Sequence, residues 1–202
     1  MISPTHKFIF IQIPKTGCSS VQSALQPYAD PVLQGKPNFD SINFKHITYK
    51  QLENKLDAKT FKDYFKFCFV RNSWDRLISS YFWCQGYHLP YAMRCPNIKR
   101  EEYKNKKFPE WLKWYTKKVK GSQLEMITDN YSNVNLDFIG RFENLKKDFN
   151  IVCDRIGIPK QQLPHINKQK HKHYTEYYNN ELREIVTETY SKDIEYFGYE
   201  FQ

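Results

Sequence analysis

The chain has 202 residues, of which 40% are hydrophobic and 17% aromatic, and this is enough apolar bulk for one domain over residues 1–202. Its formal net charge of +9 is spread along the chain, which favours a polyanionic ligand or substrate over a charged tail. There is no stretch apolar enough to span a membrane, no secretory leader, and no C-x-x-C pair among the five cysteines. We therefore expect a soluble cytoplasmic protein with free thiols, without stable membrane insertion, a zinc site or a disulfide framework.

The first half of the chain predicts two buried strands, each leading into a helix. Residues 7–13 are almost continuously apolar, as in a parallel strand that is covered on both faces. A second such strand is predicted over residues 65–70, and apolar residues at helical spacing follow it over residues 74–82. Between the two strands, Thr48 is placed to cap a short helix that runs to Leu56.

The second half of the chain is less regular. Residues 86–109 are polar and basic and contain several prolines, which predicts an insertion or lid over residues 86–130, with a helix over residues 108–119. A third short strand is predicted over residues 136–139. An amphipathic helix over residues 145–156 and a last helix over residues 182–190 follow it.

The alternation of strands and helices predicts the fold class. Strands that alternate with helices form an α/β fold, here a three-layer α/β/α arrangement around a central, mostly parallel sheet. Ligands of such sheets bind at the carboxyl ends of the strands, and both long predicted strands end there in polar residues.

The first of these strand ends carries the sequence PKTGCSS. Gly17 allows close approach of the backbone, the following helix directs its first amides outward, and Lys15 adds a cation. The hydroxyls of Thr16, Ser19 and Ser20 complete a predicted cradle for an anion. The triphosphate-binding pattern G-x-x-x-x-G-K-[ST] is absent, because Lys15 precedes the glycine. An ordinary glycine-containing turn is the alternative interpretation.

The second strand end carries the sequence VRNSWDRLISSY. Arg71 leaves the strand and Ser79 follows about two helical turns later, so that both groups can reach one phosphate. Asp75 suits the positive end of the helix dipole, and Arg76 is expected to solvate that face, as in a surface ion pair.

The segments IPKTGCSS and FVRNSWDRLISSY together resemble two sites of sulfotransferases that use 3′-phosphoadenosine-5′-phosphosulfate (PAPS), the 5′-phosphosulfate loop and the 3′-phosphate site. The match is closest to the carbohydrate-sulfotransferase branch. The segments DFIGRFENLKKDF and LPHINKQKHKHYTEYY, with a final helix ending in YFGYEF, resemble the C-terminal half of that family. The resemblance covers most of the chain, and residues 86–130 match it least. It implies a P-loop NTPase-like sulfotransferase fold and in-line transfer of a sulfuryl group from PAPS to a hydroxyl or amine of a carbohydrate-type acceptor, without a metal.

The resemblance also implies roles for particular residues. The 5′-phosphosulfate would be held by one loop, consisting of Lys15, Thr16, Gly17, Cys18, Ser19 and Ser20. Lys15 would neutralise charge on the departing oxygen, and Arg71 and Ser79 would bind the 3′-phosphate. Arg141 and Phe142 could border the adenine, although Phe142 is more typical of a core residue. Lys168 belongs to a basic loop that could close over the nucleotide or be a solvated charge run.

His46 is the candidate for the base that deprotonates the acceptor. In the family this group is a His or Glu between the two phosphate segments, and the sequence INFKHITY places His46 there. A neutral imidazole can accept the proton. Glu53 and Asp40 are weaker candidates, and the alternative role for His46 is to cap the helix that begins near Thr48.

Two other functions stay open from the sequence. A kinase or nucleotide hydrolase of related fold would need magnesium and bind ATP. A non-catalytic basic module would bind nucleic acid or acidic glycans in a salt-dependent way that survives loss of Lys15. We expect the sulfotransferase, without a nucleic-acid partner and with an unidentified acceptor; Trp111 and Trp114 could stack on a sugar or pack in the core.

The expected location follows from the same resemblance. Eukaryotic members of the branch are commonly anchored in Golgi membranes, so a Golgi-lumen origin would apply only to a trimmed chain. The start at Met1 favours a cytoplasmic protein of a microbe or virus.

Overall fold

The computed structural model consists of two compact units. Unit 1 comprises Met1–Val70 and Glu125–Asn167, and unit 2 comprises Arg71–Leu124 and Lys168–Gln202. The residues that the structure describes are 1–29, 46–86, 98–119, 121–166 and 171–202. The single domain over residues 1–202 stays a prediction, as does the insertion or lid over residues 86–130.

Unit 1 contains a four-stranded, mostly parallel sheet. Its strands are β1 (Ile2–Ser3), β2 (Phe8–Ile11), β3 (Phe65–Val70) and β4 (Phe138–Arg141), which lie side by side in that order. β1 is antiparallel to β2, whereas β2, β3 and β4 are parallel to one another. The predicted α/β fold with a mostly parallel sheet is confirmed.

The two central strands, β2 and β3, are buried on both faces, and Lys66 is the one charged residue in their otherwise apolar sequences. Phe8 and Phe10 point to one face of β2 and Ile9 and Ile11 to the other, and all four side chains are fully buried. On the phenylalanine face, the Phe10 ring stacks on the Phe67 ring with 4.9 Å between centroids. Aromatic stacking of this kind contributes about 1 kcal/mol beyond area burial.

Nine α-helices form in the described part of the chain. They are α1 (Cys18–Leu25), α2 (Tyr49–Glu53), α3 (Ala58–Asp63), α4 (Ser73–Gly86), α5 (Phe108–Lys118), α6 (Gln123–Ile127), α7 (Leu145–Ile156), α8 (Asn180–Thr189) and α9 (Ser191–Phe197). In unit 1, α1 and α7 pack on the phenylalanine face of the sheet through Val21, Leu25, Phe149, Val152 and Cys153.

Most helix boundaries agree with the local signals in the sequence. Thr48 caps α2 through a capping box with Gln51, so that each residue's side chain bonds the other's backbone N–H. Gly157 ends α7 in the left-handed conformation, with φ of 69°. The short helix α3, which Asp57 caps, has no counterpart among the predicted elements, whereas α9 ends within the segment YFGYEF, where a final helix is predicted to end.

The predicted position of the third strand is wrong by two residues. β4 covers Phe138–Arg141 rather than residues 136–139, because its parallel pairing with β3 begins at Phe138 opposite Phe67. Asp137, just before β4, bonds both backbone groups of Lys66: its N–H donates to the Lys66 carbonyl at 2.9 Å, and its Oδ2 accepts from the Lys66 N–H at 2.7 Å.

The core of unit 2 is rich in aromatic rings. Trp111 is fully buried and stacks on Tyr115, with 4.4 Å between centroids, so its interpretation as a core residue is confirmed. Burial raises the pKa of Tyr115 and of Tyr178 well above the ordinary value. All four tryptophans of the chain, Trp74, Trp83, Trp111 and Trp114, belong to this unit.

The cysteines that the structure describes are buried free thiols. They are Cys18, Cys68, Cys84 and Cys153. Free thiols are confirmed for these four, whereas Cys95 lies outside the described residues. Desolvation raises the pKa of the Cys68 thiol in the middle of β3, so this thiol stays protonated and unreactive.

Candidate functional site

The loop after β2 is held in a strained conformation. Lys15 has φ of 69° and Gly17 has φ of 78°, so two residues in three lie in the left-handed region. The Thr16 hydroxyl donates to the Ile13 carbonyl at 2.9 Å and is fully buried. The sequence predicts that the Thr16 hydroxyl contacts the ligand, but in the structure this hydroxyl holds the loop to Ile13.

Gly17 lies where no side chain fits. A Cβ at this position would be 2.7 Å from Leu145 Cδ2 and 3.2 Å from Phe142 Cδ2. The loop therefore packs directly against the segment that links β4 to α7. Phe142 contributes to this packing, while its place beside an adenine stays a prediction.

Replacing Gly17 by alanine is expected to lower the free energy of unfolding by about 2 kcal/mol or more. A Cβ at positive φ costs about 1–2 kcal/mol, and the contact with Leu145 adds to it. The matched control is Gly157→Ala, because Gly157 also has positive φ but a Cβ there meets nothing within 4 Å. Urea unfolding of Gly157→Ala measures the cost of a Cβ at positive φ alone, and the extra loss of unfolding free energy in Gly17→Ala measures the contact with Leu145. Equal losses in the two variants would contradict the close packing at Gly17.

The first turn of α1 continues the loop. Gly17 is the N-cap, and the left-handed residue followed by a right-handed helix directs successive backbone N–H groups into one concavity. No acidic residue occupies this turn. Ser19 is half-buried, and the Ser20 hydroxyl accepts a hydrogen bond from the Ile166 N–H at 3.4 Å. The turn is suited to an anion because helix N-termini carry partial positive charge.

His46 is attached to the strand end from which this loop leaves. Its Nδ1 lies 2.8 Å from the carbonyl oxygen of Gln12, which directly follows β2 and Ile11. Because a carbonyl only accepts hydrogen bonds, Nδ1 carries the proton, and Nε2 of the neutral ring is a proton acceptor. His46 is only 7% exposed, and its backbone has φ of 63°.

The alternatives to His46 as the base are Glu53 and Asp40, and the alternative role for His46 is to cap α2. Thr48 rather than His46 caps α2, so the helix-cap role for His46 is wrong. Glu53 is exposed at the end of α2, and Asp40 lies outside the described residues.

Arg141 is the last residue of β4. Its backbone N–H donates to the Asp148 carboxylate at 2.6 Å, and the residue is half-buried. Because Arg141 pairs with Val70 of the parallel strand β3, it lies at the carboxyl edge of the sheet. This is the edge at which ligands of α/β sheets bind.

In unit 2, Arg71 is the residue that directly follows β3. Its Nε donates to the Asp75 carboxylate at 2.8 Å, and Arg71 is only 7% exposed. Asn72 caps α4, since its side-chain oxygen accepts from the N–H groups of Trp74 and Asp75. The main chain of Arg71 is held by Gln123, which carries no signal in the sequence. Asp75 thus orients Arg71 in addition to lying in the first turn of α4.

Ser79 and Arg76 occupy different surroundings on α4. Ser79 is half-buried two turns into the helix. Arg76 is 3% exposed, donates to the Gly121 carbonyl and lies over the Tyr190 ring at 5.4 Å. The expectation that Arg76 solvates a surface is wrong, because its guanidinium is a structural group inside unit 2.

Lys168 lies outside the described residues. The end of the same basic loop is described, and there the His171 ring stacks on Phe82 of α4, with 5.2 Å between centroids. Lys172 forms an ion pair with Glu176 at 3.1 Å.

A parallel sheet whose first long strand ends in a cationic, glycine-containing turn is the architecture of α/β enzymes that bind phosphorylated ligands. The model of the Sulfotransferase family matches residues 1–200. The chain therefore belongs to the Sulfotransferase family.

Individual relatives share modest identity with the chain. An uncharacterized protein of Archaeoglobus fulgidus is 29% identical over 118 residues, 57% of this chain and 87% of the relative. Carbohydrate sulfotransferase 9 of Homo sapiens is 26% identical over 188 residues, 79% of this chain and 41% of the relative. Carbohydrate sulfotransferase 14 of Danio rerio is 23% identical over 182 residues, 79% of this chain and 48% of the relative. The chain thus spans less than half the length of the carbohydrate sulfotransferases that it matches, and these place it near the carbohydrate branch.

Two features are absent from the part of the chain that the structure describes. None of the helices there is both long and apolar enough to cross a membrane. In the same part of the chain, no three His, Cys, Asp or Glu side chains are grouped to hold a metal ion.

Proposed function

We propose that the protein transfers a sulfuryl group from PAPS to a hydroxyl or amine of a carbohydrate-type acceptor. The observation that carries this proposal is the loop from Lys15 to the first turn of α1. It combines a cation, a close-packed glycine and outward amides without an acidic residue. These are the requirements of a site for a phosphosulfate, which carries its negative charge in a compact group.

The loop would act at the transferred group. The acceptor oxygen forms a bond to sulfur while the bond from sulfur to the bridging oxygen of the phosphosulfate breaks, and negative charge develops on that oxygen. The Lys15 ammonium and the backbone amides of Gly17, Cys18 and Ser19 would stabilise this charge. Stabilisation by fixed donors is commonly the largest catalytic term, and it operates without a metal.

The acceptor has to lose a proton as the new bond to sulfur forms. His46 would take it on Nε2, because Nδ1 is committed to the Gln12 carbonyl. Since that carbonyl follows β2 directly, the imidazole is fixed to the same strand end as the loop.

The nucleotide end of the donor would be recognised by Arg71 and Ser79. Arg71 would pair with the 3′-phosphate as a fork, and Ser79 would add a directed donor. Arg141 and Lys168 would contribute further positive charge toward the nucleotide. The carbohydrate acceptor is proposed from the names of the relatives, carbohydrate sulfotransferases 9 and 14.

Binding of the product nucleotide, 3′-phosphoadenosine-5′-phosphate (PAP), tests the proposal. We expect calorimetry in EDTA to show PAP binding to the wild type. The Arg71→Ala variant is expected to bind about 10- to 100-fold more weakly, because charge-assisted hydrogen bonds contribute about 1.5–3 kcal/mol each. Arg155→Ala, at an exposed position of α7, is the control and should bind as the wild type does.

The other outcomes identify the competing functions. A folded wild type that binds ATP with magnesium but not PAP would overturn the proposal in favour of a kinase-like enzyme. Salt-sensitive binding of polyanions that survives Lys15→Ala, without PAP binding, would overturn it in favour of a non-catalytic basic module.

A further inference from the structure

One glutamine side chain in unit 2 holds the main chain of Arg71 from both sides. Gln123 Oε1 accepts from the Arg71 N–H at 2.9 Å, and Gln123 Nε2 donates to the Arg71 carbonyl at 2.8 Å. The Gln123 side chain is fully buried. A side-chain amide that pairs with both backbone groups of one residue replaces the bonds that a neighbouring strand would supply. Gln123 therefore fixes the peptide groups on either side of Arg71.

Asp193 of α9 holds Gln123 in turn. Its fully buried carboxylate accepts from the backbone N–H groups of Gln123 at 2.7 Å and Leu124 at 3.0 Å, and from the Ser122 hydroxyl at 2.5 Å. These groups begin α6, so the negative charge lies at the positive end of the helix. A buried carboxylate with three donors resists displacement, because an unpaired charge in this position is costly.

Arg76 holds the residue that precedes these groups. Its guanidinium donates to the Gly121 carbonyl and lies over the Tyr190 ring. Residues 121–124 are thus tied to α4 by Arg76 and to α9 by Asp193. We call residues 121–124 the bracket.

We propose that Gln123 is a positioning residue for Arg71, and that Asp193 supports it through the bracket. This inference rests on the proposed function, in which Arg71 binds the 3′-phosphate. Asp75 fixes Nε of the Arg71 side chain, and Gln123 fixes its main chain, so the direction of the remaining guanidinium N–H groups is set at both ends. A fork that is fixed in advance binds a phosphate more tightly than one that must be ordered on binding.

The test compares two nucleotides that differ only in the 3′-phosphate, PAP and adenosine 5′-phosphate. In Gln123→Met, which keeps the side-chain length and removes both hydrogen bonds, the dissociation constant for PAP is expected to rise about tenfold. The dissociation constant for adenosine 5′-phosphate should change less than about twofold, since that ligand does not reach Arg71. A merely structural role would shift the melting temperature and leave this selectivity unchanged.

Matched controls come from unit 1. Gln161→Met removes a glutamine that donates to Tyr28 and to the Pro159 carbonyl, and it should leave the selectivity unchanged. Should Gln123→Met fail to fold, Asp193→Asn tests the inference instead, again by comparing the dissociation constants for PAP and adenosine 5′-phosphate. Its control is Asp57→Asn, because Asp57 also caps a helix.

The outcomes separate this inference from the function on which it rests. Reduced selectivity in Gln123→Met or Asp193→Asn supports the inference. Selectivity equal to that of the wild type in the folded variant, beside weakened PAP binding in Arg71→Ala, overturns the inference alone. A wild type that does not bind PAP overturns the proposed function and the inference together.

Discussion

Turnover is expected to fall at least about a hundredfold when Lys15 is replaced by glycine, while thermal stability stays equal or rises. The activity falls because the proposed ammonium on the departing oxygen is lost. The stability does not fall because Lys15 has φ of 69°, a conformation that costs a residue with a Cβ about 1–2 kcal/mol and glycine very little. Opposite changes in activity and stability are expected wherever strain is retained for function.

The measurement is transfer of labelled sulfuryl group from PAPS to a panel of polysaccharides, together with thermal unfolding. Lys7→Gly is the matched control, because Lys7 also has positive φ, at 48°, in the turn between β1 and β2. It should gain similar stability and keep full turnover. Unchanged turnover in Lys15→Gly would remove Lys15 from the mechanism.

Replacing His46 is expected to lower turnover by about 10²- to 10⁴-fold, the usual range for loss of a general base. His46→Ala removes the imidazole, and His46→Asn is the more selective change. Asparagine tolerates positive φ, and its amide can still donate to the Gln12 carbonyl, but it does not accept a proton at neutral pH. PAP binding should remain within about twofold of the wild type in both variants.

His6→Asn is the matched control for this change. The His6 Nδ1 also faces a backbone carbonyl, that of Ile156, at 3.3 Å. Its replacement should leave turnover unchanged. If His46→Asn transfers sulfuryl groups at the wild-type rate, His46 is not the base.

Local signals in the sequence were sufficient for much of the fold. The strand over residues 65–70 and the helix over residues 145–156 have the predicted bounds, because a mostly apolar segment and a terminal glycine define them without reference to the rest of the chain. The strand near residue 138 was predicted to begin two residues too early, because its start depends on pairing with β3. Pairing partners do not appear in the local pattern.

In the candidate site, too, some features follow from local sequence and others depend on contacts that only the folded chain makes. Lys15, Gly17 and Arg71 were identified from residue type and spacing, yet the left-handed backbone of Lys15 and His46 has no sequence signature in residues other than glycine. Arg76 was expected in a surface ion pair because that is the usual fate of charged side chains, and its burial depends on Tyr190 and Gly121, far away in the sequence. Gln123 lies 52 positions from Arg71, so their pairing exists only in the folded chain.

The distribution of tryptophans and cysteines gives each unit its own reporter of unfolding. Since all four belong to unit 2, intrinsic tryptophan fluorescence of the native protein originates in that unit alone. Cys18, Cys68 and Cys153 are buried in unit 1, so in a chain whose Cys84 and Cys95 have been replaced, thiol labelling follows unit 1 alone. Emission and labelling can therefore be recorded on one sample during denaturation, and coincident or separate transitions distinguish one cooperative folding unit from two.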